Sequence, residues 1–499
     1  MHSYYFTEEH EMFRESLRTF LQKEVVPNLD QWEAERRIPK SIWKKMGDMG
    51  FLGLSYPEAY GGSNLDFFYD VVFCEETSKV FSGGFSATQS VVQYMSSPYI
   101  LKYGSEELKQ KYLPGIISGD LVCSVGISEP SAGSDVAGIR TTATLDGDHY
   151  IVNGSKTFIT NGVYGDFIVT VVKTDPSAGS AGVSLLVIDQ NLEGVSRSKL
   201  KKLGWHSSDT AELAFDNVKV PKGNLIGEEG RGFYYLMGGL QLERLVGAVM
   251  AYAGCESAME YTLKYMSERK AFGRPINKFQ VLRHRMAQLA TEIESCKQFV
   301  LYCCRLNNDE KYAVKESSMA KLLASELSDK VMTQCLQSFG GYGFMEEYKM
   351  ARMFRDSRVG TIGGGSSEIM REIIAKMIID DVAYNEANRN NNNNTNGNHT
   401  LNLENILAAI QAKAVKAPAL ASTLKFDFGE KQLFIDGTGE QNQVSTENKE
   451  AACLVHVGFD DFIALTKGEL NPMTAVMNGK VKIKGDMGVA MKLQSLFAN

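Results

Sequence analysis

The sequence predicts a multidomain α+β protein in which helical and strand-rich segments alternate along the chain. Over residues 7–119, apolar residues such as Phe13 and Leu17 recur at the spacing of one helix face. Residues 121–220 instead contain short alternating runs, such as HYIVNGSKTFIT, that Gly, Asp and Ser interrupt, which is typical of strands. Long helical periodicity returns over residues 230–379. This order of a helical, a strand-rich and a second helical segment predicts the multidomain α+β fold class.

An asparagine-rich stretch separates this body from a smaller C-terminal segment. Residues 388–399 read NRNNNNNTNGNH and contain no apolar side chain to bury, which predicts a flexible linker. The segment beyond it has its own hydrophobic pattern, with KQLFID and KVKIKG as expected strands and DDFIALTKG and MGVAMKLQSLF as expected helices. The predicted segments are a helical domain (1–120), a β domain (121–225), a helical bundle (226–385), a linker (386–400) and a small α/β domain (401–499).

Composition and charge are those of an ordinary globular protein. The 499 residues are 43% hydrophobic and 23% charged, with a formal net charge of -7, which gives no support to nucleic-acid or anionic-membrane binding. No apolar run is long enough to span a bilayer. The N-terminal MHSYYFTEEHEMF lacks a basic presequence, and the C-terminus lacks the S-K-L signal. We expect a soluble intracellular protein of the cytoplasm or the mitochondrial matrix.

The eight cysteines and seven histidines show no spacing typical of a metal site. No cysteines form C-x-x-C, and several fall in apolar helical stretches, which favours reduced thiols in an intracellular setting. No H-x-x-x-H pair occurs. We therefore expect no bound metal.

A carboxylate on an apolar helix face is the first candidate for catalysis. The residues that share one face by helical spacing are Leu236, Leu240, Glu243, Val246, Gly247 and Met250. A carboxylate there is costly unless it is paired or functional, and burial would raise its pKa toward the range of a general base. On the pattern alone, the commoner outcome is a structural ion pair with an arginine, either its neighbour on the helix or one from another helix.

Three further motifs have residue types suited to an anionic or aromatic ligand. The loop GISEPSAGSDVAG (126–138) lets backbone N–H groups approach a ligand closely. In RKAFGRPI, Arg269 suits a pyrophosphate and Phe272 can stack on a ring. In the block QSFGGYGF…GTIGGGSSEI, Ser366 or Ser367 would cap a helix whose N-terminus faces an anion.

Each motif also has an ordinary structural interpretation when it is taken alone. GISEPSAGSDVAG is then an ordinary Gly/Ser loop, and RKAFGRPI is a helix end with a basic last turn. The QSFGGYGF…GTIGGGSSEI block is a place where one helix stops and another starts. No G-x-G-x-x-G follows a strand, so a Rossmann dinucleotide site is not predicted.

Taken together, in this order and spacing, these motifs resemble the acyl-CoA dehydrogenase family from about Thr7 to Asp381. GISEPSAGSDVAG and the QSFGGYGF…FRDSRVGTIGGGSSEI block resemble the two family signatures, and RKAFG and NGSKTFITNG also match. The resemblance implies an N-terminal helical domain, a middle β-barrel-like domain and a C-terminal four-helix bundle. It also implies assembly as a homotetramer.

The resemblance further implies FAD, held noncovalently between the β domain and the bundle. By this resemblance, the flavin side of FAD contacts Ile127, Ser128 and Ser134, and the face of the flavin ring lies against Phe158 and Thr160. At the start of the last helix, FAD contacts Ser366 and Glu368. The resemblance assigns the pyrophosphate and adenine to Arg269, Gln280, Gln337, Gly340 and Gly341, in part from a neighbouring subunit.

The resemblance also locates the catalytic base. Most of the family carries Glu where this chain has Gly364. Isovaleryl-CoA and long-chain acyl-CoA dehydrogenases instead carry it on the bundle helix in L-E-R-L or Q-E-R-L, and QLERL at residues 241–245 is similar to that version. Glu243 is therefore the implied base, which reverses the preference for an ion pair. The implied substrate positions are Ser134, Tyr234, Gln241, Arg244, Gly364 and Gly365, although isovaleryl-CoA dehydrogenases have Asp where this chain has Gln241.

The implied reaction forms a trans-2-enoyl-CoA. Glu243 removes the α-proton of the acyl thioester, and the β-hydride passes to flavin N5. The FAD ribityl hydroxyl and the peptide N–H of the Glu stabilise the developing enolate. Gly363 stands where medium-chain enzymes have Tyr, which leaves room for a methyl branch, whereas SEIMREII resembles the long-chain type. The length and branching of the accepted acyl chain stay open.

Electron-transfer flavoprotein is the expected electron acceptor. The alternative functions are an acyl-CoA oxidase or a non-catalytic lipid- or acyl-CoA-binding protein.

The C-terminal segment resembles the sterol carrier protein type two domain, through NPMTAVMNGKVKIKGDMGVAMKLQSLF. Such domains are α/β and bind fatty acids, acyl-CoA or sterols in an apolar tunnel, and which of these binds here stays open. Methionine adapts to irregular ligands, although ordinary core packing is the commoner role of each residue. The candidate tunnel residues are Phe462, Met473, Met477, Met487 and Met491.

Overall fold

The protein was analysed as a computed structural model. It describes residues 4–311, 313–380, 382, 419–428, 432–439, 441–445, 448–458 and 481–486. The chain divides into two compact units, Met1–Asn390 and Asn391–Asn499. The boundaries that the sequence predicts between domains stay predictions.

The first unit begins with a layer of helices that polar side chains cap. Thr7, Asp66, Ser82 and Ser105 each accept a hydrogen bond from a backbone N–H in the first turn of the helix that follows. The described helices before the sheet are α1 (Glu8–Phe20), α2 (Leu29–Glu35), α3 (Lys40–Asp48), α4 (Phe67–Ser78), α5 (Gly83–Ser90), α6 (Ser97–Tyr103) and α7 (Glu106–Ile117).

A curled seven-stranded sheet follows, as the alternating runs predict. Its strands are β1 (Cys123–Gly126), β2 (Thr142–Asp146), β3 (His149–Thr160), β4 (Phe167–Lys173), β5 (Val183–Asp189), β6 (Val195–Lys199) and β7 (Thr210–Pro221). The order is β1-β4-β2-β3-β7-β6, with β5 paired to β4. Strand β4 is buried along its whole length because it pairs with three neighbours and carries FIVTVV in its centre.

The unit closes with a bundle of long helices. These are α8 (Gly232–Glu268), α9 (Gln280–Asn308), α10 (Val314–Phe339), the short α11 (Lys349–Ser357) and α12 (Ser367–Ile378). The short strands β8 (Lys270–Ala271) and β9 (Arg274–Pro275) form a hairpin between α8 and α9. Helix α10 packs against α8, α9 and α12, so it forms the centre of the bundle.

A buried charge network joins the N-terminal helices to the bundle. Arg14 donates a hydrogen bond to Glu75 at 2.5 Å, and Tyr252 of α8 donates to the same carboxylate at 2.7 Å. The Arg14 guanidinium also bonds Glu76 at 3.1 Å. Because both glutamates are 2% exposed, their charges need these partners. The network therefore holds α1, α4 and α8 in one arrangement around the candidate site.

The described part of the second unit is a five-stranded sheet. Its strands are β10 (Thr423–Asp427), β11 (Gln432–Asp436), β12 (Gln443–Ser445), β13 (Cys453–Val457) and β14 (Val481–Gly485), in the order β12-β11-β10-β13-β14. The strands expected in KQLFID and KVKIKG are therefore confirmed. The two expected helices and all five candidate tunnel residues lie outside the described residues.

Three properties concern the whole described part of the chain. Its helices include none with the length and apolar character needed to cross a membrane. Within the same residues, His, Cys, Asp and Glu side chains form no group of three suited to a metal ion. All eight cysteines are buried free thiols.

Candidate active site

Glu243 lies in the first third of α8, on a half-buried face of the helix. Within the predicted stripe, Glu243, Gly247 and Met250 are half-buried, whereas Leu236 and Val246 are buried. The predicted helical stripe is thus present, and Glu243 keeps part of its surface exposed.

The charge environment of Glu243 suits a base. Burial raises its pKa above the usual value, and the positive charges of Arg244 and Lys321 reduce that shift. Among the described residues, no Lys, Arg or His nitrogen lies within 4.0 Å of the carboxylate, so it forms no ion pair there. The structural ion pair that the pattern alone favoured is therefore not formed with any described residue.

The carboxylate of Glu243 meets the glycine turn that precedes α12. Gly364 has a φ of +66°, and a methyl group built on it would lie 3.3 Å from Glu243 Oε1. The base position that most of the family uses and the alternative position on the bundle helix are thus adjacent in space. Gly365, with a φ of +94°, is equally crowded, because a methyl group there would overlap the Met370 side chain at 2.6 Å.

Lys321 is a site residue that the sequence analysis missed. It lies on α10, is 5% exposed, and donates a hydrogen bond to the Gly365 carbonyl. Burial and the positive charge of Arg244 lower its pKa to about 8, while Glu243 acts in the opposite direction. A charged residue inside the apolar run MAKLLA was the sequence signal that would have indicated it.

The first signature loop is fixed to β3 by a fully buried lysine. Lys156, 0% exposed, donates to the Ile127 carbonyl at 3.1 Å and to Glu129 Oε1 at 2.8 Å. The Thr157 N–H bonds the Ser128 carbonyl at 2.9 Å. These bonds hold the start of the loop beside the bulged part of β3, so the predicted flavin-side residues at 127 and 128 have defined positions, and both are half-buried.

An aromatic ring projects from the bulge in β3. The pairing of β3 with β7 shifts register between Lys156 and Ile159, and Phe158 in that bulge has a φ of +62° and is 72% exposed. Left-handed backbone at a bulky residue is strained, and such strain is common at ligand sites. The next predicted ring-face residue, Thr160, is half-buried, whereas Ser134 is exposed. An exposed ring beside an anchored loop fits a planar ligand such as a flavin.

The positions predicted for pyrophosphate and adenine lie at the other end of α8. Arg269 lies 5.3 Å from the Tyr342 ring centroid, so its guanidinium reaches the turn that contains Gly340 and Gly341. Methyl groups on these two glycines would meet no atom within 4 Å, so the turn leaves open space for a ligand. The remaining predicted residues there, Gln280 and Gln337, are both exposed.

The N-terminus of α12 has the features of an anion site. Ser366 caps the helix by accepting from the Ile369 N–H at 3.4 Å, and Glu368 is exposed in the first turn. The Ser367 hydroxyl is buried and has no hydrogen-bond partner within the described chain. This unsatisfied hydroxyl at the helix N-terminus fits a polar ligand such as FAD.

The other predicted substrate residues lie on α8. Tyr234 is half-buried in its first turns, where Arg231 stacks on its ring at 5.1 Å. Gln241 is half-buried, and Arg244 is buried beside the base. The three lie on the same helix as Glu243, and their contacts with a substrate stay predictions.

Comparison with known proteins agrees with this arrangement. The family descriptions "Acyl-CoA dehydrogenase, N-terminal domain", "middle domain" and "C-terminal domain" match residues 7–120, 124–218 and 230–379. "SCP-2 sterol transfer family" matches residues 403–498.

Individual relatives cover the first unit almost completely. The mouse long-chain specific acyl-CoA dehydrogenase is 40% identical over 381 residues, which are 75% of this chain and 88% of the relative. The crystal structure of an acyl-CoA dehydrogenase from Geobacillus kaustophilus is 46% identical, covers 76% of this chain and 100% of that one, and has a TM-score of 0.73. A glutaryl-CoA dehydrogenase from Mycobacterium smegmatis, solved with FADH2, is 26% identical, covers 76% and 97%, and has a TM-score of 0.71.

A half-buried carboxylate without an ion pair among the described residues, in a chain whose Phe158 ring and anchored loop suit a planar ligand, fits an enzyme that moves a proton beside a flat cofactor. This chain belongs to the acyl-CoA dehydrogenase family and carries a C-terminal SCP-2 domain.

Proposed function

We propose that this chain is an FAD-dependent acyl-CoA dehydrogenase that uses Glu243 as its base and forms trans-2-enoyl-CoA in acyl-CoA oxidation. The observation that carries the proposal is the Glu243 carboxylate itself. It is half-buried, it has no ion pair with a described residue, and it lies against Gly364. The anchored loop at 127–128, the Phe158 ring and the α12 N-terminus would hold FAD.

Bound FAD supplies the acceptor for the β-hydride. The protein must hold the thioester so that its α-carbon faces the carboxylate, and it must stabilise the enolate charge on the carbonyl oxygen. The Glu243 N–H lies inside α8, where such a group bonds the carbonyl four residues earlier, so it cannot donate to the thioester. The Gly364 N–H makes no hydrogen bond within the described chain, and we assign the donor role to it.

The decisive experiment is anaerobic reduction of the purified full chain by straight and branched acyl-CoAs of graded length. Loss of the oxidised flavin absorbance supports the proposal. Rapid return of that absorbance in air would identify an oxidase instead. A chain that binds acyl-CoA but never loses its flavin absorbance would be a binding protein, and the proposal would be wrong.

The face of α8 beyond the base indicates where the acyl chain lies. A methyl group built on Gly247, one turn after Glu243, would meet no atom within 4 Å. The open strip ends at Met250, whose sulfur accepts a hydrogen bond from Ser90 at 2.9 Å. Since helices rise 1.5 Å per residue, the strip from Glu243 to Met250 is about 10 Å long. This length, with the likeness to a long-chain relative, supports substrates with extended acyl chains.

Gly247→Val should therefore shorten the accepted chain. The two methyl groups would occupy the open strip, so kcat/KM for palmitoyl-CoA should fall by about tenfold or more, while that for butyryl-CoA changes little. The matched control is Gly254→Val, two turns further on, where a methyl group would already contact Met332 at 3.8 Å. Equal losses for both substrates in the Gly247 variant would show that the chain does not pass this glycine.

We infer that electron-transfer flavoprotein is the acceptor and that the protein is a homotetramer. Two segments that carry predicted adenine or pyrophosphate residues expose large apolar side chains: Phe272, in the β8–β9 hairpin, is 95% exposed, and Phe344, at the end of the 340–344 turn, is 83% exposed. Exposed aromatics of this size are typical of surfaces that a partner covers. Light scattering of the purified chain tests the assembly, and stimulation of turnover by electron-transfer flavoprotein tests the acceptor.

For the C-terminal domain we propose binding of a fatty acid, an acyl-CoA or a sterol. Tethered to the dehydrogenase, a bound acyl-CoA would be present at a high effective concentration. Deletion of residues 401–499 should then lower turnover of palmitoyl-CoA at concentrations below KM and leave butyryl-CoA turnover unchanged. Equal palmitoyl-CoA turnover by both forms would contradict delivery by this domain.

A further inference from the structure

Lys321 is a buried cation with no carboxylate at contact distance. Its ammonium group donates to the Gly365 carbonyl, and no carboxylate oxygen of the described residues lies within 4.0 Å of it. By contrast, the fully buried Lys156 has Glu129 at 2.8 Å. A buried cation without such a partner is costly to retain. The free-energy cost of burying Lys321 therefore indicates that this lysine has a role that a neutral side chain would not fill.

The charged groups around Glu243 come from four helices. Arg244 lies beside it on α8, and Lys321 faces it from α10. Tyr99 of α6 is buried, and its phenol is influenced by Glu243. Glu326 of α10 and Glu368 of α12 act on Lys321, and both are exposed. Lys321 therefore both acts electrostatically on Glu243 and donates a hydrogen bond to the glycine turn beside it.

We propose that Lys321 is a positioning residue, which fixes the Gly363–Gly365 turn against Glu243 and supplies a positive charge near that carboxylate. This inference rests on the proposed role of Glu243 as the base. The hydrogen bond to Gly365 sets the turn, and with it the Gly364 N–H that faces the substrate. The positive charge favours the ionised carboxylate, which is the form that accepts the α-proton.

Three substitutions separate the hydrogen bond from the charge. Lys321→Met removes both, Lys321→Gln keeps a donor but no charge, and Lys321→Arg keeps both. The rate of flavin reduction by acyl-CoA is measured from pH 6 to pH 9 in each full-length variant. Because loss of a nearby cation makes a carboxyl harder to ionise, the Met and Gln variants should lose about tenfold more rate at pH 6 than at pH 9. The Arg variant should keep the wild-type profile.

A second readout, independent of turnover, is the infrared band of the protonated Glu243 carboxyl group, followed as the pH changes. The band is assigned to Glu243 because it is the one that Glu243→Gln removes. The Met and Gln variants should protonate Glu243 at higher pH than the wild type does. Hydrogen exchange of the segment around Gly364 should be faster in the Met variant than in the Gln variant.

The outcomes distinguish this inference from the proposed function. A uniform loss of rate at every pH, with an unchanged carboxyl titration, would overturn the role of the charge and leave a structural lysine. Unchanged exchange around Gly364 in the Met variant would overturn the positioning of the turn. If the wild type itself shows no flavin reduction with any acyl-CoA, the proposed function fails, and the infrared titration still tests the effect of Lys321 on Glu243.

Discussion

Glu243→Gln is expected to slow flavin reduction by acyl-CoA by about 10²–10⁴-fold, the usual contribution of a general base. The amide has nearly the shape of the carboxylate but cannot accept the α-proton. Because Glu243 has no ion pair with a described residue, the substitution leaves no described charge without its partner. Flavin content and acyl-CoA binding should therefore change little. Stopped-flow absorbance of the bound flavin under anaerobic conditions measures the effect.

The matched control is Glu260→Gln, the same substitution at an exposed position of the same helix. Its reduction rate should stay within about twofold of the wild type, since exposed charges far from a site act weakly. If the Glu243 variant kept more than a tenth of the wild-type rate, another group would have to remove the proton. The assignment of the base would then be wrong, even though the family membership would stand.

Much of the fold could be predicted because its signals are local. The runs that form β11 and β14 show in KQLFID and KVKIKG, and the helical spacing from Leu236 to Met250 marks part of α8. The bulge at Phe158 had no such signal. A left-handed backbone at phenylalanine goes against local preference, and it persists because contacts of the loop at 127–129 with the bulged part of β3 fix the backbone there.

The same distinction applies to the site. Glu243 could be found from the sequence because a carboxylate is conspicuous on an apolar face, and Gly364 because its motif is recognisable. Lys156 and Lys321 could not be placed, because their partners are far along the chain: 27 residues separate Lys156 from Glu129, and 44 separate Lys321 from Gly365. Their roles depend on how β3, α10 and the glycine turn pack together, which no local pattern encodes.

Lys156→Met is expected to give the largest loss of stability and to release flavin. Glu129 would keep the bonds from the Arg140 and Thr141 N–H groups, at 2.6 and 3.0 Å, but would lose its only described cation. Although burial raises the pKa of Glu129, Lys156 and these bonds lower it, and the net shift is downward. Removing one member of a buried pair typically costs about 3–5 kcal/mol. Chemical unfolding followed by tryptophan fluorescence measures this, since the three tryptophans lie in the first unit.

Two comparisons make this prediction specific to the buried pair. Lys44→Met breaks an exposed pair with Asp48 and should cost less than about 1 kcal/mol. The double variant Lys156→Met, Glu129→Gln removes both charges and should recover much of the stability. It should not recover flavin binding, because the Ile127 carbonyl still loses its bond to Lys156 and the loop is free to move. If the double variant bound flavin as tightly as the wild type, the lysine would stabilise the fold without shaping the cofactor site.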